Sequence, residues 1–224
     1  MVAGVTPCPG GWLVASAKMQ GSNFAPEPPK VYPAFLEVLD ERPSFEVIVV
    51  NVPIGYRDAT GQPGRVCDSE ARAMLGRRGS SIRNAPTRMV MNGDMTWRQA
   101  GLDAVTGTML PRYREVALEM SPFRQRVVYE GNPELSFFQI NRDSPMTRSK
   151  RTEMGREERR AILLERLPGI NKVLDANLPR VSPKHLFDAS ALLWTARRVF
   201  GRAAKRLPSN ADWDSEGMRM EIVY

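Results

Sequence analysis

Apolar positions in this chain fall in short runs broken by proline and glycine, and the spacing inside each run predicts its element. Residues 2–5 form an apolar run that stops at Thr6-Pro7. Pro9-Gly10-Gly11 marks a turn, and residues 12–17 alternate as a second strand, so the chain opens with a predicted β-hairpin. Residues 20–30 are rich in proline and polar groups and predict a loop, with a poor edge strand at 30–32. Ala34, Phe35, Val38 and Leu39 keep helical spacing. Residues 45–50, FEVIVV, are the most hydrophobic run. Their β-branched side chains predict a buried central strand, paired with residues 2–5.

Residues 57–66 predict a polar loop, and residues 67–75 a helix that Gly76 terminates. Residues 77–96 look irregular, with Gly79, Pro86 and Gly93. Residues 97–120 read as helical, kinked or split at Gly107 and Pro111. A strand is predicted at 126–130, a short helix at 133–140 and a charged helix at 155–167. The last long helix runs from Ser182 or Pro183 to Lys205, with Leu186, Ala189, Leu193, Ala196 and Phe200 as its apolar stripe. Residues 218–224 predict a final strand. There is no internal repeat, low-complexity tract or clean linker. The order predicts a single α/β domain over 1–224: a mixed sheet flanked by helices, with an irregular basic insertion at about 57–96.

Charge adds a partner to this picture. Lys plus Arg number 32 against 25 Asp plus Glu, a net charge of +7. Such an excess favours polyanions, nucleic acid first. Two cysteines, Cys8 and Cys67, are too few for a disulfide framework or a structural zinc site and suit a reducing compartment. Both read as small packing residues that face each other near the hairpin turn. The N-terminal segment lacks the pattern of a signal peptide, and no run approaches the ~18 apolar residues of a membrane helix. The expected location is cytoplasmic, away from membranes. The sequence does not set an oligomeric state.

Nucleotide-binding glycine motifs, HExxH and CxxC pairs are absent. The single histidine, His185, is the only base a Ser or Cys triad could use, and nothing else supports one. What remains is a series of phrases at strand and helix ends: VAGVTPCPGGW, VNVPIGY, RVCDSEARAMLG, APTR, YEGNPELSF, FDASALLWTARR and GMRMEIVY. In this order they resemble a bacterial domain-of-unknown-function family, family 429, predicted to be RNase H-like nucleases. The resemblance runs from Val2 to Tyr224 and implies an RNase H-like mixed sheet. That family places an aspartate after the first strand, where this chain has Thr6. It reads VDIPIG after the buried strand, where this chain has Asn51 for the aspartate. It reads like E-x-H-P-E next, where this chain keeps Glu130 and Glu134 but has Asn132 for the histidine. On the last helix it often reads DDxxDA, where this chain has Lys184 and His185 and keeps Asp188 and Ala189.

The resemblance implies phosphodiester hydrolysis assisted by Mg²⁺ or Mn²⁺, which activate water and stabilise the leaving oxygen. Mg²⁺ is a hard cation that prefers carboxylates. Thr6, Asn51, Glu130 and Asp188 are therefore expected to converge on one cleft, with Glu130 and Asp188 as metal ligands and Glu134 beside them. The acidic centre is partly dismantled, because two strand-end acids have become neutral. His185 and Asp188 share a helix face at i and i+3, which suits a metal pair. The simpler reading of His185 is a helix-start residue that hydrogen-bonds locally.

Arg77, Arg78, Arg83 and Arg88 surround Gly79-Ser80-Ser81 in the irregular segment, a combination that suits phosphate contacts. Arg197 and Arg198 share the last helix with Trp194, as a second basic face or as solvated surface. Three functions follow: a metal-dependent nuclease with a reduced ligand set, an inactive nucleic-acid-binding relative, and a phosphotransferase of the actin or sugar-kinase type. The third needs a second lobe for which this length leaves no room.

Overall fold

The computed structural model describes residues 1–21, 23–59, 64–210 and 212–224. Of the loop expected over 57–66, residues 60–63 lie outside the described residues. Strand β1 (Val2–Cys8) and strand β2 (Gly11–Gln20) form the antiparallel hairpin, and β3 (Asn23–Pro26) and β4 (Lys30–Tyr32) both pair with β2. On the other side, β5 (Val47–Val50) lies parallel to β1, with Val2 opposite Val47 and Val5 opposite Val50. The pairing expected between these two segments is thus present. Strand β6 (Val128–Glu130) follows in parallel, giving the order β3-β2-β1-β5-β6 in a six-stranded mixed sheet among the described residues. This is an α/β fold with a helical insertion.

Helix α1 (Phe35–Leu39) precedes β5. Helices α2 (Val66–Leu75), α3 (Arg88–Asn92) and α4 (Ala104–Glu119) separate β5 from β6. Helices α5 (Pro133–Ile140), α6 (Glu153–Arg166), α7 (Asn171–Leu174) and α8 (Pro183–Phe200) follow β6. A short ribbon of β7 (Arg206–Leu207) and β8 (Ile222–Val223) ends the chain.

Strand alternation sorts the core into two layers. Val2, Cys8, Leu13, Ala15, Val47 and Val49 face α5, α6, α7 and α8. Ala3, Val5, Trp12, Val14, Ile48, Val50 and Val128 face α1 and α4. A third cluster joins α2, α5 and β8 beyond the sheet. Helix α8 crosses β1 at Gly4, where a Cβ would collide with the backbone of Ala189 and Leu193. Across the other layer, Glu115 on α4 accepts from the Trp12 indole N–H (2.9 Å) and the Phe35 amide (2.6 Å), fastening α4 to the hairpin.

Several boundaries differ from the sequence reading. Strand β1 continues through Pro7. The Val5 carbonyl faces β5 and accepts from the Asn51 amide at 2.9 Å. Pro7 faces the same side beyond the end of β5, so its missing N–H costs no ladder bond. The loop expected over 20–30 contains β3, an edge strand that Pro26 closes. The irregular 77–96 stretch holds a 3₁₀ turn (Gly76–Ser81) and α3. Helix α4 starts only at Ala104, because Asp103 caps it by accepting from the Thr106 amide. Pro111 is inside α4 and does not split it. Helix α8 stops at Phe200, not at Lys205, and of the 218–224 strand only Ile222–Val223 pairs as β8. Cys8 and Cys67 are both buried and free, but they belong to different clusters and do not face each other.

The close approach at Gly4 makes a sharp prediction. Gly4→Ala forces α8 off the sheet and lowers stability by about 3 kcal/mol or more, the upper part of the overpacking range. Urea denaturation of the two proteins measures it, and a destabilisation below about 1 kcal/mol would contradict this view of the packing.

Candidate functional site

Thr6 and Asn51 meet at the carboxyl ends of β1 and β5, where the Asn51 side-chain amide donates to Thr6 Oγ1 at 3.2 Å. Thr6 is buried and shares the face of Val2 and Gly4, the face that α8 covers. Asp188 is on that covering helix, one residue before the Ala189 carbonyl that overlies Gly4. Both of its carboxylate oxygens accept from the Lys150 ammonium, each at 2.7 Å.

Glu134, on the first turn of α5, is close to this pair. Arg159 Nη2 donates to its two oxygens at 3.1 and 3.0 Å, and Arg78 Nη2 donates to Oε2 at 3.0 Å. Arg159 is fully buried and also donates to the carbonyls of Arg148 and Gly155. Burial alone would raise the Glu134 carboxyl, but Arg159, Lys150 and Arg78 outweigh it and hold it below its ordinary value. Asn132 caps α5 by accepting from the Glu134 amide at 2.9 Å.

Glu130 does not join them. It shares the face of Val128, against α4, and is therefore on the opposite side of the sheet from Thr6. Its oxygens accept from Arg65 Nη1 at 2.7 Å and Nη2 at 2.6 Å, and from the Ile54 amide at 2.7 Å. Arg65 also grips Asp68, with Nε and Nη2 at 3.1 and 2.7 Å, and reaches the carbonyls of Ile54 and Gly55. The expected cleft of four residues thus resolves into two places. Thr6, Asn51, Asp188 and Glu134 belong to the α8 side, and Glu130 to a buried ionic cluster behind β6.

His185 closes onto the start of its own helix, with Nδ1 3.2 Å from the Ser182 amide nitrogen and 3.1 Å from Ser182 Oγ. Burial and then Lys184 lower its pKa, which favours the neutral imidazole. The basic insertion is also largely committed. Arg78 holds Glu134, Arg83 holds Asp103, and Arg88 holds Asp214 with Asp58 and Glu216 around it. Of the four arginines expected to contact phosphate, Arg77 alone is exposed without a carboxylate among the described residues. Arg197 packs over Phe24 and Arg198 over Trp194. Arg198 also donates to the Ala203 carbonyl just past α8, so both have structural partners.

A family model described as "Protein of unknown function (DUF429)" matches residues 4–212. The chain belongs to this family. No curated protein and no solved structure matches the chain. Membership agrees with the resemblance of the sequence phrases and leaves the chemistry to the residues themselves.

Those residues do not fit a divalent cation. Asp188 is closed onto an ammonium, Glu134 onto two guanidinium groups, and Glu130 faces the other side of the sheet. Among the described residues, no three His, Cys, Asp or Glu side chains gather in a way that could hold a metal. Thr6 and Asn51 offer only dipoles, for which Mg²⁺ gives up its water reluctantly. Lys150, Arg159 and Arg65, which neutralise the acids, were not singled out from sequence. Arg159 lies in the charged helix expected over 155–167, Lys150 shortly before it, and Arg65 at the end of the polar loop expected over 57–66.

Burial pushes Glu130 up from 4.5 to about 7, against the pull of Arg65 and with a further push from Asp68. The folded chain therefore holds this proton more tightly than the unfolded chain. The resulting stability is complete below about pH 4.5 and is lost as pH rises through about 7. Glu134, held low, contributes in the opposite sense and only at more acidic pH. Urea denaturation at a series of pH values should show the decline towards pH 7 in the wild type and a flatter profile in Glu130→Gln. The same slope in both proteins would remove Glu130 as its source.

Proposed function

We propose that this chain binds nucleic acid through the phosphate backbone and does not cleave it with a divalent metal. One observation carries the reading: protein cations stand against Asp188 and Glu134, acids that a nuclease would turn towards metal. Lys150 closes on Asp188, and Arg159 and Arg78 close on Glu134. Around them Arg77, Arg148, Arg151 and Lys184 are exposed and pair with no carboxylate among the described residues. The rim of the site is therefore net basic, as phosphate contact requires. The overall charge of +7 acts in the same direction.

The chemistry of the acids agrees. A carboxylate held by a lysine or arginine has its lone pairs engaged and its charge compensated, so a metal would have to displace that partner. In Glu134 the low pKa records this compensation. The two acids, Asp188 and Glu134, are outnumbered by the three cations that hold them.

Binding of single-stranded DNA, duplex DNA and RNA, measured across a salt series, tests the proposal. Affinity should fall steeply with salt and be unchanged by EDTA. Joint replacement of Arg77, Arg148, Arg151 and Lys184 by alanine should flatten the slope by about 0.9 for each duplex phosphate that is no longer neutralised. An unchanged slope, or no binding at low salt, would sink the binding half. Strong cleavage by the wild type with Mg²⁺ or Mn²⁺ that vanishes in Asp188→Asn would sink the other half.

The same view sets what it takes to install a metal site. Thr6→Asp with Asn51→Asp restores two charges but leaves Lys150 on Asp188. Adding Lys150→Met should be needed before Mn²⁺ raises the melting temperature of the variant. A rise of equal size in the double and triple variants would show that Lys150 does not block the site.

A further inference from the structure

A cleft of about 270 Å³ opens between α2, the segment at 84–87 and the turn at 100–102, lined by none of the residues around Asp188. Its polar lining includes Arg57, Ser69, Arg72, Asn84 and Thr87, and Pro86 and Leu102 contribute an apolar wall. Arg65 and Asp68 also border it, but each Asp68 oxygen is already held by Arg65. That carboxylate is therefore compensated and does not set the charge of the cleft.

Several donors around the cleft are unspent. Arg72 has a single long bond, 3.4 Å to the Ile82 carbonyl, and no carboxylate partner among the described residues. Arg57 gives one terminal nitrogen to Asp212 at 2.7 Å, while its Nε is buried without a partner among the described residues. Thr87 occupies the N-cap position of α3, yet its hydroxyl does not cap the helix and is likewise buried without a partner among the described residues. Buried polar groups in folded proteins nearly always find partners, and those that do not call for an explanation. A group rich in acceptors and negative charge would satisfy the guanidinium donors and the hydroxyl together. Phosphate does this, and arginine matches its geometry with paired donors.

The volume sets the size of the rest. Pockets for drug-sized ligands span about 300 to 1,000 Å³, so this cleft suits a smaller molecule with one anionic end and a compact body. The geometry points to a small phosphomonoester, with its phosphoryl group among Arg57, Arg72 and Thr87 and its body against Pro86 and Leu102. This site is independent of the basic rim around Asp188 and shares no residue with it. The phosphate could belong to a free mononucleotide or to the end of a nucleic-acid strand, since the recognised chemistry is the same.

Calorimetric titration of the full chain tests the site with four probes: inorganic phosphate, adenosine, adenosine monophosphate and a dinucleotide carrying a terminal phosphate. Adenosine monophosphate or the dinucleotide should bind, and whichever binds tighter identifies the source of the phosphate. Adenosine should not bind. Arg72→Gln and Thr87→Val should each weaken binding, the former by about tenfold or more, as expected for a hydrogen bond to a charged group. Arg72→Gln should leave the salt slope of the rim unchanged, which separates failure of this site from failure of the backbone-binding proposal. The inference is overturned if neither phosphorylated probe binds at millimolar concentration, if adenosine or inorganic phosphate binds as tightly, or if both folded variants bind like the wild type.

Discussion

The close crossing of α8 over β1 at Gly4 organises this molecule. With no side chain at that position, the helix backbone comes down onto the strand, and Ala189, Leu192 and Leu193 fill the layer beside it. The same crossing fixes the height and direction of α8, and therefore where Asp188 and His185 are carried. Gly131 repeats the device next to β6, where a Cβ would collide with Val49 and Leu192 side chains. Two glycines thus let one helix span three parallel strands, and the site at its N-terminal end inherits its position from that packing.

The elements with strong periodicity were legible in the sequence. The hairpin, the buried 45–50 run, α5 and the long last helix all follow from apolar spacing and from proline or glycine punctuation. Their ends were harder to read, because ends depend on partners. Pro7 is tolerated since β5 has stopped beside it, and α4 waits for the Asp103 cap. The edge strand β3 was hidden in a polar, proline-rich stretch because its pairing with β2 supplies what its composition does not. The site was legible only in part. Thr6 and Asn51 could be placed together, since each ends one of two paired strands. The sidedness of Glu130 needed the register of β6, and the role of Lys150 needed an ion pair across 38 residues of chain.

Charge compensation is the recurring theme of the interior. Arg159, with no exposed surface, and Arg65, almost fully buried, are large cations in places where a sequence reading puts solvent. Each is sustained by carboxylates and carbonyls, which engage every nitrogen of Arg65 and both terminal nitrogens of Arg159. The acids of this chain are thus part of its architecture, which gives residues that look catalytic by position a structural role as well.

The Arg65–Asp68–Glu130 cluster carries an evolutionary consequence. Removing Arg65 leaves two carboxylates in the interior with no cation between them, at a cost of about 3 to 5 kcal/mol, a large share of the stability of an ordinary domain. Replacing the set with well-packed apolar groups carries no such penalty. Single-step loss of Arg65 is therefore blocked, while concerted change is open. Descendants of this chain should not lose Arg65 while both acids remain, which ties Arg65 to Glu130 even though Glu130 is 65 residues along the chain from it.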